Sequence, residues 1–150
     1  MSDAPHFRKA APGFRWQGVD VLEYKPEGSA PFRNITRQLL FRSAELACEL
    51  RYFEIAPGGH STLECHEHEH AVMILNGSGA CLVENEVRSV SAHDLVAIPA
   101  HAWHQFRASE GGVLGFLCMV NVDRDRPRLP DARDLESLRS NPVVAAFIRP

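Results

Sequence analysis

An all-β barrel or sandwich, finished by short C-terminal helices, is the fold class this sequence predicts. Three observations predict it. Apolar runs four to eight residues long recur with turn residues at intervals of about 8–12 residues, the spacing of all-β folds. No segment of helical period interrupts them before residue 124. After that point the pattern changes to a polar linker and then to apolar residues at helical spacing.

The first 30 or so residues read as irregular, with Pro5, Pro12, Pro26 and Pro31, but also carry Phe14, Trp16, Val19, Val21 and Leu22. They read as a packed arm with a strand or two. Asn34 to Phe41 and Glu49 to Ala56 read as strands, and Pro57-Gly58-Gly59 as a turn. Val72 to Leu75 is an apolar run, after which Asn76-Gly77-Ser78-Gly79 is expected to turn the chain. Ala80 to Glu84 and Val87 to Val90 form a hairpin about Asn85-Glu86. Leu95 to Ile98, Trp103 to Arg107 and Val113 to Val122 follow as strands. At the end, Asp131 to Ser140 reads as one helix. Asn141-Pro142 starts a second, since Asn caps well and Pro suits the first helical position. Both helices are expected to pack on the barrel. The signals divide one domain into an arm with the first strands (1–45), a barrel core (46–123) and a linker with the helical segment (124–150).

The 150 residues suffice for a core without staples, because roughly 70% of the unfolded surface is buried at this size. A net charge of −3 gives no basic footprint for nucleic acid. No run approaches the roughly 18 apolar residues of a membrane span, and the N-terminus lacks a signal core. A cytoplasmic location is expected. The four cysteines form no C-x-x-C pair and are expected to be free thiols, with Cys118 in the core.

The chemistry concentrates between residues 58 and 104. Glu64, His66, His68 and His70 alternate with Cys65, Glu67 and Glu69, and on a regular strand all four would share one face. One of the four is therefore expected to be displaced by a turn or bulge. A second cluster, His101 and His104, follows Pro99. Imidazole is the commonest metal-ligating side chain, and closely spaced His and Glu residues mark metal sites.

Here the sequence resembles the cupin family. Its first motif matches at Gly58, Glu64, His66, His70 and Gly77 with the family's intervals. The second matches at Pro99 and His104, while His93, His101 and Ala108 replace the Gly, Gly and Asn of the family pattern. The likeness spans about residues 50 to 120. It implies a jelly-roll-like cupin barrel with one divalent transition metal (Fe, Mn, Ni, Co, Cu or Zn) held by Glu64, His66, His70 and His104. The usual order of ligands, His, His, Glu and His, is altered, because the carboxylate stands first. His68 falls between ligand positions, beside the metal or facing solvent. His101 lies at the pocket mouth or on an exposed loop.

A barrel of this kind holds a pocket lined by alternate strand residues. Phe53, Met73, Phe106, Phe116, Cys118 and Val120 are candidates for its wall, with His68 and His101 at its edge. Gln105 should point away from the cavity by alternation. Glu64 is either a fixed ligand or a catalytic base that leaves the metal. The resemblance favours a metal-dependent dioxygenase or related oxidoreductase acting on a small organic molecule. A redox-neutral isomerase or lyase and a non-catalytic binding protein stand as alternatives. The family likeness also implies a homodimer, with the arm bearing Phe14 and Trp16 as a candidate contact.

Overall fold

The computed structural model describes residues 5–24 and 33–150; the expected irregular stretch around Pro26 and Pro31 lies outside them. Among the described residues, ten strands and two helices follow in chain order. The arm supplies β1 (Ala10–Ala11), β2 (Arg15–Trp16) and β3 (Leu22–Glu23). The barrel is built from β4 (Arg33–Ser43), β5 (Cys48–His60), β6 (His70–Val83), β7 (Glu86–Ser91), β8 (Leu95–Ile98), β9 (His104–Ala108) and β10 (Leu114–Asn121). α1 (Ala132–Arg139) and α2 (Pro142–Phe147) close the chain.

All strand pairs are antiparallel. β5 pairs with β10 at Phe53↔Phe116, β10 with β6 at Phe116↔Ile74, β6 with β9 at Cys81↔Phe106, and β9 returns to β5 at His60↔Arg107. That ring of pairings closes the barrel. β4 extends it beside β5, while β8 and β7 pair with the first and second halves of β6.

Two expected turns are not turns. Pro57-Gly58-Gly59 lies inside β5, and Asn76 to Gly79 lies inside β6. Gly58 and Gly77 take φ values of +71° and +72°, which bend each strand without ending it. The bend in β6 lets one strand serve β8 and β10 with its first half and β7 and β9 with its second. At Gly77 a Cβ would collide with the backbone carbonyl of Val113. The glycine is required by space as well as by φ.

Alternation along the strands sorts the side chains. Phe53, Ile55, Val72, Ile74, Phe116, Cys118 and Val120 point into the barrel and are buried. The rings of Phe53, Phe116 and Phe106 stack in series at centroid distances of 5.7 and 4.6 Å. Such pairs add about 0.5–1.5 kcal/mol each beyond their burial. A second core lies between the barrel wall and the helices, where Leu63 and Leu82 meet Leu138, Val144, Phe147 and Ile148. Gln105, fully buried, faces this layer rather than the cavity. Its Nε2 donates to the carbonyls of Ser61 and Arg149, and its Oε1 accepts the Arg149 N–H at 2.9 Å, tying the C-terminus to β9.

The helix starts are those the sequence predicts. Asp131 and Asp134 form a reciprocal cap on α1, and Asn141 caps α2 ahead of Pro142. In the arm, Phe14 and Trp16 pack on the Tyr52 ring of the protein's own sheet, 5.8 and 5.2 Å away. Both remain half-buried there. Among the described residues no helix is long and apolar enough to cross a membrane.

The bend at Gly77 gives a direct test. Gly77→Ala should cost at least about 2 kcal/mol in chemical denaturation, because it adds a steric clash to a disfavoured φ. Gly111→Ala, with open space around the new methyl group, should change stability by less than about 0.5 kcal/mol.

Candidate metal centre

The chain between β5 and β6 brings the two histidine motifs together. Glu64 and His104 form an isolated backbone bridge: the Glu64 N–H donates to the His104 carbonyl at 3.2 Å, and the His104 N–H to the Glu64 carbonyl at 3.0 Å. The chain then bends at Glu67 and His68 before β6 begins at His70. That bend breaks strand alternation and displaces His68. The His68 ring lies flat against the His66 ring, with centroids 3.7 Å apart and planes 4° from parallel.

His66, His70 and His104 converge, with one nitrogen from each lying within 4.8 Å of the others. The Nδ1 of His66 is 2.8 Å from the His68 carbonyl, and the Nδ1 of His104 is 2.9 Å from the Ala102 carbonyl. A carbonyl only accepts, so each Nδ1 carries the proton and each Nε2 keeps a lone pair. His70 Nε2 stands 2.7 Å from His66 Nε2 and donates its N–H there in the metal-free protein, a proton that moves to Nδ1 when Nε2 serves as a ligand. Burial foremost, then the neighbouring imidazoles, holds the pKa of His70 well below its ordinary value. Burial likewise lowers His104 to about 4. Neutral imidazoles with converging lone pairs are the ligand form a divalent transition metal requires. The donor set fits such an ion.

The Glu64 carboxyl stands at the edge of this group, its Oε1 3.9 Å from His104 Nε2. Burial raises its pKa to about 7, against the pull of the Arg51 guanidinium. Behind the imidazoles lies a cavity of about 70 Å³, room for only a few non-hydrogen atoms. Glu64, His70, His104 and Cys118 line it together with Phe53, Phe106 and Phe116. The Cys118 thiol is 3.3 Å from His70 Nδ1 and 3.5 Å from Arg51 Nη2.

Of the expected wall and edge residues, Met73, Val120, His68 and His101 do not line this cavity. Met73 is 40% exposed on the outer face of β6, because Val72 and Ile74 take the inward positions on either side. His101 has φ +63° in the turn after Pro99, where the family pattern has a glycine, and its exposed side chain borders a surface cleft beside α1. Its N–H nonetheless donates to the His66 carbonyl at 2.7 Å. The position supports a ligand through its backbone.

Tyr24, Ile35, Arg51, Ser61 and Thr62 also line the cavity and escaped the sequence reading. Arg51 is 9% exposed, and its Nε finds no hydrogen-bond partner among the described residues. Its place two residues before Phe53 on a strand is a signal that it faces inward. Thr62 is also buried, with an unpartnered Oγ1.

Fold and site together define a cupin, and the chain belongs to that family. The family model for the cupin domain matches residues 51–120. Across nearly its whole length the chain also resembles particular proteins. It is 56% identical over 147 residues to 1-methylthio-D-xylulose 5-phosphate methylsulfurylase of Rhodospirillum rubrum, covering 98% of this chain and 94% of that one. A crystal structure of a cupin 2 conserved barrel domain protein from Rhodopseudomonas palustris superposes with a TM-score of 0.91 at 53% identity, covering 96% and 99% of the two chains. A cupin-2 domain from Rhodospirillum rubrum gives a TM-score of 0.85 at 57% identity, covering 94% and 95%.

Burial of these groups predicts two opposed pH effects in the metal-free protein. Histidines of the unfolded chain take up protons below pH 6.5, whereas folded His104 refuses one until about pH 4. Acidification across that window should therefore destabilise the fold. Folded Glu64 keeps its proton up to about pH 7, while the unfolded carboxyl loses its own near 4.5. Its contribution is present at low pH and is lost as pH rises between those values. Urea midpoints from about pH 4 to 8 should show His104→Gln flattening the acid limb and Glu64→Gln flattening the loss toward neutrality.

Proposed function

We propose that this protein is a metal-dependent cupin enzyme that removes the methylsulfur group of 1-methylthio-D-xylulose 5-phosphate. The observation that carries the reading is a thiol, Cys118, set between His70 and Arg51 in the cavity of a chain 56% identical over its length to a methylsulfurylase.

The proposed substrate is a ketone whose C1 bears sulfur. The cavity is too small for a pentulose phosphate, but it suits the reacting end of one. One divalent ion per chain, held by His66, His70 and His104 with Glu64 as a further candidate ligand, would supply Lewis-acid polarisation of the carbonyl. With its Nε2 engaged as a ligand, His70 must carry its proton on Nδ1 and donate toward the Cys118 sulfur. Arg51 donates to the same sulfur. The pKa of this thiol is raised, by burial foremost and by Glu64, while Arg51 and Arg124 oppose the rise. Two N–H donors favour the thiolate, the form that attacks.

Attack on the substrate sulfur forms an S–S bond and breaks C1–S, whose electron pair becomes an enolate. The Arg51 guanidinium faces that developing charge among the cavity's phenylalanines, where a fixed cation is most effective. Where the three imidazoles alone hold the ion, Glu64, which lines the same cavity, is suited to deliver the proton to C1. A methyl ketone leaves, and a second thiol must then take the methylsulfur group from Cys118. The surrounding phenylalanines exclude water from the enolate.

The protein is further proposed to be a homodimer. Beside the arm with Phe14 and Trp16, a further candidate contact is formed by Phe41, Met73, Leu95 and Met119, all 40% exposed or more. Light scattering at micromolar concentration should give twice the chain mass, and a monomer would refute it.

Consumption of 1-methylthio-D-xylulose 5-phosphate under argon, with an added thiol, tests the activity. Metal-loaded protein should turn it over, and Cys118→Ser should lose at least about a thousandfold, as removal of a nucleophile does. A Cys118→Ser variant of undiminished rate would remove the thiol from the mechanism. A strict requirement for O₂ would favour the dioxygenase alternative, which the same three imidazoles can also support.

A further inference from the structure

We infer that Asp125, in the segment after the barrel, is a positioning residue for the metal centre and acts through His68 on the ligand His66. The inference rests on reading His66, His70 and His104 as a metal site, and it assigns a role to two residues that are not themselves among those three.

Three contacts fasten Asp125 to the bend between the ligands. Its Oδ2 accepts the Glu67 N–H at 2.9 Å, and its Oδ1 accepts the His68 N–H at 3.2 Å. The same Oδ1 lies 2.7 Å from His68 Nδ1. A carboxylate with two backbone donors and a ring N–H fixes both the path of the bend and the angle of the His68 ring. The contact is sheltered, because the His68 side chain is only 9% exposed and that of Asp125 29%.

His68 in turn holds His66 in two ways. Its carbonyl accepts the His66 Nδ1 proton at 2.8 Å, which directs the Nε2 lone pair toward His70 and His104. Its ring covers one face of the His66 ring at 3.7 Å. Rotation of His66 about its side-chain bonds would break both contacts. Groups that orient a metal-ligating imidazole in this way commonly govern metal affinity about 10–100-fold when removed. Here the orienting carboxylate acts one histidine further out.

The test is titration with Co²⁺ of metal-free wild type, Asp125→Asn, His68→Ala and the double variant, following the visible ligand-field bands. Asp125→Asn leaves a carbonyl oxygen for the backbone donors but cannot accept all three contacts as a carboxylate does. It should weaken Co²⁺ binding about 10–100-fold and shift the bands, while the melting temperature of the metal-free protein stays close to wild type. His68→Ala should produce a loss of similar size, and the double variant should be little worse than either single one, because the two residues act as a unit. Unchanged affinity and bands in Asp125→Asn, with wild type binding Co²⁺ tightly, would overturn the role of Asp125 and leave the metal site standing. Fully additive losses would overturn the route through His68. A wild type that takes up no Co²⁺ would overturn both the inference and the metal reading beneath it.

Discussion

Two backbone hydrogen bonds between Glu64 and His104 set the geometry on which the site depends. They join the segment after β5 to the start of β9, and so fix the distance between motifs that the sequence keeps far apart. From that bridge, His104 and Glu64 project into the cavity, and His66 follows two residues later. His70 comes from the first residue of β6, beyond the bend at His68. The bends inside β5 and β6 matter for the same reason. They let β6 meet β9 and β10 at once, closing the barrel around the imidazoles.

Burial then determines what those side chains are chemically. Water is largely excluded, so the histidines are neutral and their lone pairs are available. The same exclusion makes Glu64 a weak acid with a pKa near neutrality and places Arg51 as a desolvated cation beside a thiol. An acid, a cation, a thiol and a set of metal donors thus share a space of about 70 Å³. Each would be unremarkable at the surface. Their value comes from low polarizability around them and from backbone carbonyls that hold the imidazole tautomers fixed.

Much of this was legible in the sequence because it depends on local signals. Strand runs, the helix from Asp131, the cap at Asn141, and the motif intervals at His66, His70 and His104 need no knowledge of distant contacts. Other features depend on partners. Positive φ at glycine suits a hairpin turn and a bent strand equally, so Gly58 and Gly77 read as turns until β9 and β10 are seen beside them. The run at Val72 to Leu75 is apolar throughout, and only the packing shows that Met73 faces out. Arg51 could have been found, since it alternates with Phe53. Asp125 could not, because it reaches the bend at His68 by the return of the chain after β10, and no spacing in the sequence announces that contact.

We hold that His66, His70 and His104 form a metal centre in this barrel. Metal content per chain, by inductively coupled plasma mass spectrometry, tests it most directly. Tag-free wild type and a His104→Ala variant would be compared after identical reconstitution and exhaustive dialysis. The account requires near-stoichiometric divalent transition metal in the wild type and its loss from the variant. A wild type that takes up no metal, or a His104→Ala protein that retains as much as wild type, would contradict it.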